Sequence, residues 1–228
     1  MSVAMTTWKA EVYPHLVGVP TPGLVNAVRN ASREFCKETQ LWTYELARIS
    51  ILANDNDYTI TIPADQYGEL VVIDNVKYKV DGADDDQFKN LDPISENQMD
   101  VDDEQSDAWK YQTGSSPTKF WMEPDDDATL YLHPIPTVAS ASGLLVRVFL
   151  KPTKTATVVP DFIYYKHEPA ITQGALAELF AMKAMPWYDP NLANAWGASF
   201  RSSIANARNT KASGLTNRPL TVRMRSFV

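Results

Sequence analysis

Apolar residues recur at helical spacing near both ends of the chain and at strand spacing between them. The most regular stretch, Asp161–Asn209, reads as a helix, a sharp turn and a second helix. After Pro160, with Asp161 as N-cap, the pattern runs Ile171, Ala175, Leu176, Leu179, Phe180, Met182 and Lys183. Steps of three and four put most of these on one face. A second start is open at Glu168-Pro169, with proline at the first helical position. Pro186 stops this helix. Asp189 then caps the next, with Pro190 at its first position. Its apolar positions are Leu192, Ala193, Trp196, Phe200, Ile204 and Ala207. So short a turn sets the two helices antiparallel, with facing stripes buried. Trp187 falls in the turn and joins that packing.

Near the start, Thr21 caps a helix predicted over Pro22–Leu41. Leu24, Val28, Ala31, Phe35 and Trp42 recur at its spacing, with Arg29, Arg33, Glu34 and Lys37 on the outer side. Residues 1–20, which carry Trp8 and Tyr13, read as a lead-in that packs against something. From Glu45 the period changes. Leu46–Leu52, Tyr58–Ile62, Leu70–Ile73 and Val76–Val80 are β-branched and partly alternating. Asn54–Asp57, Pro63–Gly68 and Asp74-Asn75 divide them, the signature of a β-meander. Residues 81–118 are polar, with Ser95 and Gln98 spaced to cap a short helix. Strands return at Lys119–Met122, Thr129–His133 and Gly143–Leu150.

The first helix cannot bury its stripe alone, so its partners are the two C-terminal helices. The expected fold class is α+β. An antiparallel helical bundle takes residues 1–44 and 153–213, with one N-terminal and two C-terminal helices. An antiparallel β module over 45–152 is inserted in it, and an extended C-terminal arm takes 214–228. In the arm, Leu220, Val222 and Met224 alternate with Thr221, Arg223 and Arg225, the pattern of a half-buried strand. Such a strand needs a sheet edge to satisfy its backbone. That edge belongs either to a partner subunit or to the chain's own β module.

Charge divides the chain further. Residues 81–127 carry 3 basic and 15 acidic side chains, whereas 128–228 carry 11 basic and 4 acidic, within a total of −7. An acidic chain is a poor candidate for tight nucleic-acid binding. The single cysteine, Cys36, excludes an internal disulfide framework and fits a reducing compartment. No apolar run approaches the roughly 20 residues of a membrane helix, and no charged-then-apolar leader opens the sequence. The expected setting is a cytosol, or a particle assembled in one.

Candidate chemistry is sparse. The histidines, His15, His133 and His167, share no metal-ligand spacing, and no phosphate loop or hydrolase motif is present. His167 beside Glu168 has the makings of a proton-transfer pair, but more often marks a solvated helix start. Asp84–Asp86, Asp100–Glu104 and Asp125–Asp127 are acidic clusters. The second lacks the glycine and the bidentate glutamate of a calcium loop. No catalytic residue, metal ligand or cofactor is assigned. Trp109, Tyr111, Phe120 and Trp121 read first as strand-face residues, with sugar or protein binding as the alternative.

Four features together resemble the head-to-tail adaptor, or connector, proteins of tailed bacteriophages. They are the opening helix with Val28-Arg29, Ala31, Arg33–Cys36 and Thr39 to Trp42; the segment Gly174–Ala177 with Leu179, continuing to Pro186–Pro190; the closing helix through Phe200 and Ala207; and the basic tail. The resemblance implies a virion protein at the head–tail junction, assembled in the host cytoplasm and without catalysis. It would form a homo-oligomeric ring, usually twelve-fold, beneath the portal protein. Tail or nozzle proteins would dock on its β region, and genomic DNA would pass without specific binding. No membrane is involved. The resemblance places Arg218, Leu220, Val222, Arg223, Met224, Arg225 and Phe227 on the portal. Val28, Phe35, Trp42, Leu176, Leu179, Phe180, Trp187, Trp196 and Phe200 supply packing within the bundle or between subunits. The rival readings are a tail-tube or tail-completion protein, and a carbohydrate- or receptor-binding β module.

Overall fold

The computed structural model describes residues 2–80, 84, 87–94, 112–122 and 129–213. The chain opens with β1 (Ser2–Ala4), a 3-10 turn at Met5–Trp8, the short helix α1 (Lys9–Val12) and the long helix α2 (Thr21–Thr39). Strands β2 (Thr43–Glu45), β3 (Ile49–Ile51), β4 (Asp57–Thr59), β5 (Gly68–Tyr78), β6 (Lys89–Asn90) and β7 (Asp92–Pro93) follow. Next come β8 (Thr113–Gly114), β9 (Lys119–Met122), β10 (Thr129–His133), β11 (Ile135–Pro136) and β12 (Ser140–Pro152). β13 (Val158–Pro160) leads into α3 (Asp161–Phe180) and α4 (Pro190–Ser213). The fold is mixed α+β. It divides into two compact units, one from the described parts of Met1–Leu41 and Lys151–Val228, the other from those of Trp42–Leu150.

In the first unit, α2 starts one residue earlier than its sequence suggests. The Pro20 carbonyl accepts the first helical bond, from the Leu24 amide at 3.1 Å, so Pro20 and not Thr21 holds the cap position. No side-chain oxygen caps this end. Thr21 and Pro22 stand where an amide has no helical partner, so proline loses nothing there. The helix stops at Thr39, short of Leu41. Gln40 turns left-handed, with φ 52°, and its amide bonds to the Cys36 carbonyl at 2.9 Å. Trp42 therefore lies off the helix and is buried in the second unit.

α3 runs unbroken from Asp161 through Pro169, so the alternative start at Glu168 is not used, and Pro160 takes the cap position expected of Asp161. Pro169 leaves the Tyr165 carbonyl without its helical donor. Tyr165 is 76% exposed, so water can serve that oxygen. The helix ends at Phe180, before Met182, Lys183 and Pro186. Residues 181–189 turn back instead, and the Asp189 amide closes the turn on the Phe180 carbonyl at 3.0 Å. α4 is capped as its sequence predicts. Asp189 Oδ1 accepts the amides of Asn191 and Leu192 at 2.9 and 3.1 Å.

The three long helices meet at Gly174. A Cβ there would lie 2.8 Å from Ala31 Cβ on α2 and 3.0 Å from the Phe200 ring on α4, so only glycine permits this approach. Asn30 Nδ2 donates to Glu178 at 2.7 Å, and Ser203 Oγ donates to Gln173 at 2.8 Å. Around this point Leu24, Val28, Phe35, Ile171, Leu176 and Leu179 are fully buried. The lead-in packs in the same unit: Met5, Trp8 and Val12 are fully buried, and β1 pairs antiparallel with β13.

The second unit is not a meander. One sheet has the order β2-β12-β5-β6, with β3 also on β12; another runs β4-β10-β9-β7. β7 on β9 and β11 on β8 are parallel pairs, so the module is not wholly antiparallel. Asp74-Asn75 makes no turn. β5 passes straight through it, and the Asp74 carboxylate takes a hydrogen bond from Arg147 on β12. That pairing gives a turn-prone residue a partner inside a strand. Strands β9 and β10 have the limits read from sequence. The ends of the unit meet: the Leu150 amide donates to the Trp42 carbonyl at 2.8 Å, and Phe149 stands opposite Thr43.

Candidate interaction surfaces

The residues expected to pack are placed unequally. Val28, Phe35, Leu176 and Leu179 are fully buried, and Phe180 and Phe200 nearly so, all inside one chain. Trp187 and Trp196 are half-buried. Trp187 donates its indole N–H to the Leu179 carbonyl at 3.1 Å, which fixes the α3–α4 turn. Trp196 meets His15 edge to face, with ring centroids 5.3 Å apart. That contact brings the 13–17 loop to the start of α4. Val17 is 89% exposed there, and Tyr13, Met185, Tyr188 and Leu192 are exposed as well. The lead-in was expected to pack, but Val17 has no periodic neighbours to mark it; Leu16, Val17 and Val19 beside Tyr13 were the available signal.

His167 and Glu168 do not form a pair. The His167 ring lies on Phe35 at 4.9 Å, and the Glu168 carboxylate accepts from Thr172 Oγ1 at 2.9 Å. Burial, and then the neighbouring Lys166, lower the histidine pKa. Lys166, His167 and Pro169 on α3 and Asn206 and Lys211 on α4 line a cleft of about 500 Å3. The Lys211 ammonium donates to the Gln40 carbonyl at 2.6 Å. Burial pushes the Cys36 thiol up, which leaves it a packing residue. Burial, then Asp55, raise the Tyr58 hydroxyl to about 12, and it donates to the Asp55 carbonyl at 3.0 Å. Burial also raises Glu178, against the hydrogen bond from Asn30.

In the second unit Trp121 stacks on Tyr131 with centroids 5.0 Å apart, across the β9–β10 pair. Phe120 is buried. A groove of about 540 Å3 runs beside β5, walled by Val71, Ile73, Leu91, Ile94, Phe120 and Met122. Its signal was in the sequence. Leu70–Ile73 is four apolar residues in succession, which on a strand means two apolar faces.

Several expected sites lie outside the described residues: Arg218, Leu220, Val222, Arg223, Met224, Arg225 and Phe227, Asp85 and Asp86, Asp100–Glu104, Asp125–Asp127, Ser95, Gln98, Trp109 and Tyr111. Among the described residues no group of three or more histidine, cysteine or acidic side chains is placed to hold a metal. No described helix is long and apolar enough to cross a membrane.

The family model described as SU10 adaptor protein matches residues 9–223, from the lead-in across both units and beyond α4. A search among curated proteins finds no match.

Proposed function

The chain belongs to the SU10 adaptor protein family, and from that premise we propose that it is a structural, non-catalytic component of a phage virion. Its copies form the ring, twelve-fold in our reading, that joins the portal of the head to the tail and continues the DNA channel. The observation that carries this is the extent of the family match, which spans the helical unit and the β unit together. In this reading α2, α3 and α4 form an antiparallel bundle that gives each subunit its shape. The exposed apolar group around Trp196, Val17 and Leu192 supplies contact area beyond the subunit's own core. A closed ring of identical subunits needs two unlike, complementary faces on each. The acidic balance suits a channel wall that lets DNA slide, because it does not neutralise phosphate.

The test is quantitative mass spectrometry of purified, DNA-filled particles. Copies near one to one with the portal protein are expected. Many copies per particle would assign the chain to a tube or shell. Its absence from the particle would end the reading.

A further inference from the structure

The loop that joins α1 to α2 is closed on itself and presents Val17. The Tyr13 hydroxyl donates to the Val19 carbonyl at 3.4 Å. The amides of His15 and Leu16 donate to the Val12 carbonyl at 3.0 and 3.1 Å. Leu16 and Val19 are buried, Gly18 turns with φ 89°, and Val17 between them is 89% exposed. A loop tied down in this way holds apolar area in water, where a partner can bury it. From Ala10 to Val28 the one charged side chain is Glu11.

A socket of matching chemistry lies on the same unit. The cleft of about 500 Å3 lined from α3 and α4 has Leu41, Pro169, Ala170 and Ala207 among its walls, with the cations Lys166 and Lys211. Apolar walls suit the valine, and the two ammonium groups suit the loop's single carboxylate. Loop and cleft stand at different levels of α4. His15 touches Trp196, whereas Asn206 lines the cleft, about 15 Å further along the helix. The loop therefore does not fill the cleft of its own chain. The tail beyond Ser213 is a poorer match, since it holds Arg218, Arg223 and Arg225 and no carboxylate, and would meet the two lysines with like charge.

We propose that the Tyr13–Val19 loop of one copy seats Val17 in this cleft on the next copy. Knob and socket are different surfaces of one subunit, so the contact is heterologous, the kind that a closing rotation makes into a ring. The proposal rests on the ring reading and deepens it, by naming the two faces that meet.

The test places a benzophenone amino acid at position 17 and assembles particles from a mixture of wild-type and variant full-length chains. After irradiation, peptide mass spectrometry should find position 17 bonded to residues 166–170 or 206–211 of another copy, in a product of twice the chain mass. Val17→Lys should keep the chain off the particle without changing its melting temperature, because the side chain is exposed in the single subunit. Val17→Leu should assemble as wild type does. A bond to the portal or to a tail protein, or a bond within one chain, would overturn the proposal. So would Val17→Lys chains that assemble normally. Particles that hold the chain one to one with the portal but give no bond would keep the ring and sink only this docking. Particles that lack even the wild-type chain would end both readings.

Discussion

Each of the two units of this chain is held together internally by its own kind of contact. In the helical unit a few long elements close on one point, where Gly174 lets Ala31 and Phe200 approach to within a side chain's width. In the β unit many short strands share the task, and β4 finds its partner β10 far along the sequence. A helix carries its own backbone hydrogen bonds and needs only a stripe to be covered. A strand needs a named neighbour before it exists at all. The helical unit should therefore fail locally and sharply, and the β unit by loss of pairing.

A matched pair of substitutions tests this most strongly. Gly174→Leu overfills the three-helix junction, and Leu130→Ala empties a fully buried site on β10. Each is expected to cost about 3 kcal/mol. Hydrogen exchange read by mass spectrometry should show lost protection confined to the mutated unit. Loss in both units from either change would mean one cooperative block and break the comparison.

A smaller effect sharpens it. Asp189→Ala removes the acceptor for two amides at the start of α4 and should cost about 1 kcal/mol. Exchange should quicken near Asn191 and Leu192 and leave β9 and β10 as they were. The mildest effect is a slope with pH. His167 has its pKa lowered from 6.5 by burial, then by Lys166. The stability it contributes is present above 6.5 and is lost as pH falls through the lowered folded value. In melting scans from about pH 7 to about pH 5, His167→Gln should flatten the decline. An unchanged slope would assign the acid sensitivity elsewhere.

What was legible in the sequence follows the same division. Asp189-Pro190 announced the start of α4 because capping is local chemistry, decided within three residues. The limits of β9 and β10 were legible for a like reason, since turn residues bracket each alternating run. Partner choice was not, because nothing in Asp57–Thr59 names Thr129–Tyr131 across the sheet. Asp74-Asn75 misled because its turn propensity is answered by Arg147, some seventy residues on. Pro169 left a second helix start open, and packing on both sides of it carries α3 through from Asp161, the start first read from the sequence. The buried bundle residues were legible from period alone. The exposed group at Tyr13, Val17 and Leu192 was not, since only the fold brings the 13–17 loop to α4.

The hydrogen bond between Leu150 and Trp42 has a consequence for how such chains change over time. A segment whose two ends touch can be cut out and its gap closed by a turn, with little loop entropy to overcome. Residues Trp42–Leu150 can thus be lengthened, trimmed or exchanged as one cassette while the helices on either side keep their sequence. Lineages built on this plan are free to vary what they present without redesigning the scaffold that presents it.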